Sequence, residues 1–307
     1  MIGANQWLRR FTLEVGEGLL AAVTGVAIQS NDAGHLRVSF VVERDERPWP
    51  NQTQIKIWNL NPDHRKNLEG KRGIPVRLSA GYKDNQGTVF DGFLRDAVST
   101  HDGEDWVTTI TGGDGECNSK GEPLASGSIS KTWKKGTPLA TIALAFAKEM
   151  KVDLGASTAA AGAAKLLTGA AVMHAYTVDG PIVDEFIYFM RSVGLKWSIQ
   201  NGALQIRVAD APAGIAPLIS PFTGLLGSTS ASTRKVQRTN QLTQKVELQE
   251  IAVLEGRCLL LPNLLPGQQL LVQSTATGVP KPYLCTRVRQ VGDTHGQEWY
   301  TEFEGNN

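Results

Sequence analysis

Long apolar runs are missing from this chain, and so is an excess of either charge. The longest stretch of small residues, "STAAAGAAKLLTGAA" (157–171), is too polar and too short to cross a bilayer. The opening "MIGANQWLRRFTLEV" lacks the apolar core of a signal peptide. A soluble protein made in a cytoplasm, without membrane insertion, is the expectation. Thirty-one basic residues face 30 acidic ones, for a net charge of +1. That excludes the basic excess of a dedicated nucleic-acid binder. Three cysteines, Cys117, Cys258 and Cys285, form no C-x-x-C pair, which excludes a zinc knuckle and a disulfide scaffold. Cys258 and Cys285 lie in apolar runs and read as buried thiols, in keeping with a reducing compartment.

Catalytic signatures are equally scarce. The five histidines are scattered, and none forms H-x-x-x-H. "TGGDGE" (111–116) has neither the G-x-G-x-x-G nor the G-K-[ST] spacing, and no G-x-S-x-G is present. "HDGED" (101–105) reads as a hairpin tip rather than a metal site. Asp184 and Glu185 are adjacent on a helix and point apart. Asp91 and Asp96 are carboxylates that a glycoside hydrolase would need to pair across strands. No catalytic, cofactor-binding or metal residue is assigned, and the chain reads as a non-enzyme.

What is present is alternation. Phe11, Leu13 and Val15, then Leu36, Val38, Phe40 and Val42, then Val76, Leu78 and Ala80 recur at period 2. "YKDNQGT" and "HDGED" separate further strands, so residues 11–112 read as a half-buried antiparallel sheet. Ile55 and Ile57 face its core, with Trp58 on the opposite face. Asn61 followed by Pro62, with Gly70 beyond, predicts a short capped helix between two strands. Residues 137–208 change character. Leu139, Ile142, Ala143, Phe146 and Met150 fall at helical spacing, as do Ile182, Phe186, Phe189, Met190 and Val193. Asn201-Gly202 marks a hairpin. Gly155–Ala171 reads as a link with little to pack. From about Ala209 the strands return, and within that region the segment "SPFTGLLGSTSASTRKVQRTNQ" (220–241) reads as a long polar loop. Seven tryptophans in a chain with no active site favour an assembly component, because aromatics are enriched where proteins meet.

Three stretches carry a resemblance. They are "IKIWNLNPDHRKNLEG" with "VRLSAGYKDNQGTVFDGFLRDA"; "SISKTWKKGTPLATIALAFAKEM"; and "LISPFTGLLGS" with "LLPNLLPGQQLLVQS" and "TRVRQVGDTHGQEWYTEFEG". In this order the chain resembles the baseplate hub proteins of tailed bacteriophages, which are related in fold to the hub part of type VI secretion spike proteins. The resemblance implies a mainly β fold: two tube-type antiparallel β-barrels with a small inserted α/β module. The first barrel takes 1–113, the second 114–136 with 209–307, and the module 137–208. It implies a homotrimeric ring in the virion tail that adapts a sixfold tail tube to a threefold central spike. Tail tube or distal tail protein, spike, other baseplate proteins and tape-measure protein are the implied partners, with DNA passing through unbound. Trp58, Leu60, His64, Arg65, Trp106 and Trp299 are the interface candidates. A cell-envelope hydrolase and a receptor- or glycan-binding module are the alternative readings.

Overall fold

The computed structural model describes residues 8–16, 26–29, 36–152, 161–209, 211–239, 246–273 and 279–307. Trp7 and the end of the 220–241 segment lie outside them.

The chain is mainly β. A first set of strands comprises β1 (Arg9–Val15), β2 (Val26–Gln29), β3 (Val38–Asp45), β4 (Gln52–Trp58), β5 (Pro75–Tyr82), β6 (Asn85–Asp102) and β7 (Asp105–Gly113). Helix α1 (Pro62–Leu68) connects β4 to β5, with Pro62 opening it and the Asn61 side chain accepting from the Asp63 N–H. This is the predicted cap. A second set comprises β12 (Gly214–Ile219), β13 (Leu225–Thr239), β14 (Val246–Leu259), β15 (Gln268–Val272), β16 (Lys281–Asp293) and β17 (Trp299–Asn306). The 220–241 segment is therefore not one long loop. Its polar composition reflects a strand exposed over much of its length, which hydrophobic patterning cannot detect.

The two sets share one topology. The first runs β3-β4-β7-β6-β5-β1 across the sheet, with β2 added beyond β1; the second runs β13-β14-β17-β16-β15-β12. In chain order these are the same permutation of six strands. One pairing differs in sense: β1 is antiparallel to β5, whereas β12 is parallel to β15. Both sets contain a long strand that breaks register, β6 at Leu94/Asp96 and β16 at Cys285/Arg287. His101 opposite Trp106 and Gly292 opposite Trp299 put the two hairpins in alignment. "DWVTTITG" (105–112) then matches "EWYTEFEG" (298–305), with Thr108 and Thr301 both buried, and Ile110 and Phe303 both in a core.

The sets are fused by a strand with two allegiances. The first part of β16 (Lys281–Leu284) pairs with β15. Its second part (Arg287–Asp293) crosses to pair antiparallel with β3. One continuous sheet results, with the order β13-β14-β17-β16-β3-β4-β7-β6 through its middle. Each set keeps its own core. Phe40, Ile55, Ile57, Leu78, Phe90 and Ile110 anchor the first; Leu270, Cys285, Val288 and Phe303 anchor the second. Burial pushes the thiols of Cys258 and Cys285 up, as expected of inert core cysteines.

Between the sets lies a module with a third core. It comprises β8 (Ser128–Trp133), α2 (Leu139–Met150), α3 (Ala161–Gly169), β9 (Tyr176–Pro181), α4 (Ile182–Ser192), β10 (Leu195–Gln200) and β11 (Ala203–Val208). Within residues 114–136, β8 pairs with β9, and Ile129 and Trp133 enter the module core. One expectation is corrected here. The Gly155–Ala171 link contains helix α3, which buries Ala163 and Leu167. Leu166 and Leu167 are its only large apolar residues, so the alanine- and glycine-rich composition concealed it. Asn201 and Gly202 both take positive φ, 52° and 72°, at the predicted β10–β11 turn.

That hairpin docks on the first sheet through buried polar groups. Asn51 Nδ2 donates to Asp114 Oδ2 and to the Ile199 carbonyl, both at 2.8 Å. Gln200 Nε2 donates to the Asp45 carbonyl at 2.9 Å. Arg44, fully buried, donates to Asn201 Oδ1 and to the Val89 carbonyl. Burial lowers its pKa to about 10. Arg207 and Glu46 add an ion pair between module and sheet.

Candidate functional site

Along the middle of the continuous sheet, alternate residues point into the two cores, and the rest form one polar face. On β4, Thr53, Ile55 and Ile57 are buried while Gln52, Gln54, Lys56 and Trp58 lie on the other face. On β7, Thr109 and Thr111 stand opposite Lys56 and Gln54. β16 and β17 contribute Arg287, Arg289, Tyr300, Glu302 and Glu304, alternating with buried Val288, Thr301 and Phe303. Over the second set this face is hollowed into an open groove of about 1110 Å³, lined by Ser230, Arg257, Arg287, Arg289, Glu302 and Glu304, among others.

Charges on this face are matched. Arg289 reaches Glu302 at 2.9 Å and Glu43 at 3.2 Å, and Arg287 reaches Glu43 at 3.4 Å. Arg257 reaches Glu302 at 2.7 Å, and Arg234 reaches Glu304 at 3.0 Å. The Glu302 hydrogen bond raises the Arg289 pKa. Partial burial pushes Glu302 up, but hydrogen bonds from Arg289 and Arg257 outweigh it and hold the carboxyl below its ordinary value. The result is a hydrophilic wall whose arginines already have partners, a surface that offers duplex phosphates little unpaired positive charge.

The six interface candidates separate. Trp299 is 3% exposed: it packs edge-on against Phe40 at 5.6 Å, and its Nε1 donates to the Gly81 carbonyl. Leu60 also belongs to the first core. These two are used inside the chain. Trp58 is half-buried on the polar face, with the Arg37 guanidinium 4.3 Å from its ring centroid. Arg37 also holds Asp293 at 2.6 Å. Burial raises the Asp293 carboxyl, but Arg37 and the N–H groups of His295 and Gly296 hold it below its ordinary value. Trp106 lies on the other face of the sheet, between Arg65 of α1 (3.9 Å) and His101 (3.7 Å). His64 is half-buried one residue before Arg65. Trp58 and Trp106 thus mark two surfaces rather than one patch. The interspersed acids and bases predict that Arg287 and Arg289 are paired, but not with which acids, because the partners lie far apart in the chain, as Glu43 and Glu302, 259 residues apart, show.

The two carboxylates that the hydrolase reading would pair each face an arginine. Asp91 is held by Arg77 at 3.1 Å, and Asp96 lies 3.5 Å from Arg72. Among the described residues, no group of three or more His, Cys, Asp or Glu gathers to hold a metal, and no helix is long and apolar enough to cross a membrane.

No protein-family model matches the chain, and no curated protein matches it. Solved structures do. A tail protein from Neisseria meningitidis superposes with a TM-score of 0.61 at 10% identity, covering 98% of this chain and 97% of the other. The 43 kDa tail protein of prophage MuSo2 from Shewanella oneidensis gives 0.61 at 11% identity, over 97% and 98%. An Escherichia coli component of the type VI secretion system, described as structurally similar to bacteriophage tail proteins, gives 0.53 at 9% identity, over 88% and 73%. The chain has the fold of these phage tail and secretion-spike hub proteins, as the sequence resemblance implied.

Proposed function

We propose that this protein is a structural component of a phage-type tail, the hub of its baseplate. Three copies form a ring of six similar β units, two from each chain. The ring presents near-sixfold symmetry to a tail tube or distal tail protein and threefold symmetry to a central spike. Other baseplate proteins and the tape-measure protein complete its surroundings in the virion. The first unit occupies 1–113 and the second 209–307, with the α/β module held to the side by the Arg44–Asn201 seam.

The observation that carries this reading is the repeat of one six-strand order within a single continuous sheet. A chain with two copies of one unit can match a sixfold partner with three subunits. The charge-paired face supports the second half of the reading. Turned toward the bore, it is wettable and near neutral, so DNA slides past without being gripped. The fold shared with tail proteins over nearly the whole chain points the same way.

Native mass spectrometry of the purified chain over a concentration series tests the ring. The expected product is a species of three 33.2 kDa chains that grows with concentration. A stable dimer, or a monomer at every concentration and in every complex with tail proteins, would contradict it.

A further inference from the structure

The seam inside the chain has a counterpart that the chain leaves open. Inside, the edge strand β3 docks on the second part of β16, with Asp45 opposite Arg287 and Glu43 opposite Arg289. In the repeated strand order, β13 corresponds to β3 and β6 to β16. Among the described strands, β13 pairs only with β14. The part of β6 after its bulge, Asp96–Asp102, pairs with β7 alone among the described strands. Each chain therefore ends the repeat with one unpaired edge of each kind. Such edges associate unless they are protected.

The register can be carried across. Thr53 and Leu254 are counterparts, since they face Gly112 and Gly305 respectively. Val42 lies opposite Thr53, and Ala231 lies opposite Leu254. Three residues further on are Asp45 in β3 and Arg234 in β13. Arg287 and Asp96 are likewise the first residues after their bulges, opposite Glu304 and Thr111. The pair Asp45–Arg287 of the internal seam thus becomes Arg234–Asp96 at an external one. The charges are opposite again, with their polarity exchanged. Both side chains are near half exposed and lie on the polar face.

We propose that β13 of one copy pairs antiparallel with Asp96–Asp102 of β6 in the next copy, with Arg234 opposite Asp96. This rests on the ring reading above and names its contact. The contact is heterologous, one copy giving β13 and the next giving β6, and in the ring read above the chain of contacts closes after three copies. The polar face then continues unbroken around the bore. The exchanged polarity also protects against mispairing. β3 brought against β6 would set Asp45 against Asp96, and β13 brought against β16 would set Arg234 against Arg287, both like-charged.

Single-cysteine cross-linking tests this. Directly opposed residues of antiparallel strands have Cα atoms about 4.5–5.5 Å apart, within disulfide range. Two full-length chains are made, Asp96→Cys and Arg234→Cys, each also carrying Cys117→Ser; the other two native thiols are buried. Under mild oxidation, a cross-linked dimer is expected only when the two chains are mixed, and neither chain alone gives one. Asp96→Arg, checked for folding by circular dichroism, is expected to lose the trimer. A homodimer of the Arg234→Cys chain would overturn the proposal in favour of twofold pairing of β13. A trimer by native mass without the mixed cross-link would overturn this seam and leave the ring standing. Absence of both trimer and cross-link at every concentration would overturn the seam and the ring together.

Discussion

Replacing Asp114 with Asn isolates the most heavily buried acid at the junction of module and sheet. Asp114 is wholly buried just beyond β7; its Oδ2 accepts from Asn51, and its Oδ1 has no hydrogen-bond partner. Burial pushes its pKa from 3.8 up to about 6, against the opposing pull of Arg44, Asn51 and the Gly202 N–H. The folded state therefore binds this proton more tightly than the unfolded chain does. The associated stability is fully present below pH 3.8 and is lost as pH rises through about 6. At about 1.4 kcal/mol per pH unit, the difference is on the order of 3 kcal/mol. Asn does not titrate, so the wild-type chain should gain about that much over Asp114→Asn between pH 7 and pH 3.5. Urea unfolding of both proteins across that range measures the gain, and carbon-detected NMR of the carboxyl group gives the pKa directly. Parallel stability profiles, or an Asp114 that titrates at or below 4, would refute the reasoning.

Other expectations separate core from surface. Trp299→Ala removes a core aromatic and should cost about 3–5 kcal/mol in a urea melt, whereas Trp58→Ala should leave the isolated chain folded and lower the trimer fraction in native mass spectra. Glu302→Gln releases Arg257 and leaves Arg289 to Glu43 alone. Fluorescence anisotropy should then detect duplex binding with a salt slope steeper by about 0.9 for each phosphate newly matched; an unchanged slope would count against the neutral-wall reading. Gly292→Ala would place a methyl carbon 2.3 Å from Phe40 Cζ, and overpacking of that kind should lower stability by about 1–3 kcal/mol in the same urea melt.

Much of the fold is legible in the sequence because burial is periodic. Ile55 and Ile57 alternate with Gln54 and Lys56, and the strand they predict is β4. The Asn61-Pro62 cap and the Asn201-Gly202 turn are legible because each residue has a local task that few others can perform. What escapes is non-local or apolar-poor. β13 has few hydrophobic residues because it is exposed along much of its length, and α3 is rich in alanine and glycine. Trp299 is a core residue for a reason the sequence does not display: Phe40 and Gly292, far apart in the chain, leave a slot for its ring. The internal repeat is present in the letters, as "DWVTTITG" and "EWYTEFEG", but those lie almost 200 residues apart. Only the strand registers show that they occupy the same place. The charge-paired face is the least visible of all, because Glu43, Arg289 and Glu302 meet only when β16 crosses to β3.

An electron-microscopy map of the intact tail tests the central claim most directly. The account predicts three copies of this chain around the tail axis, at the level where sixfold symmetry gives way to threefold, with Arg289 and Glu302 facing the bore. Six copies, a single copy off the axis, or a ring whose charge-paired face turns outward would contradict it.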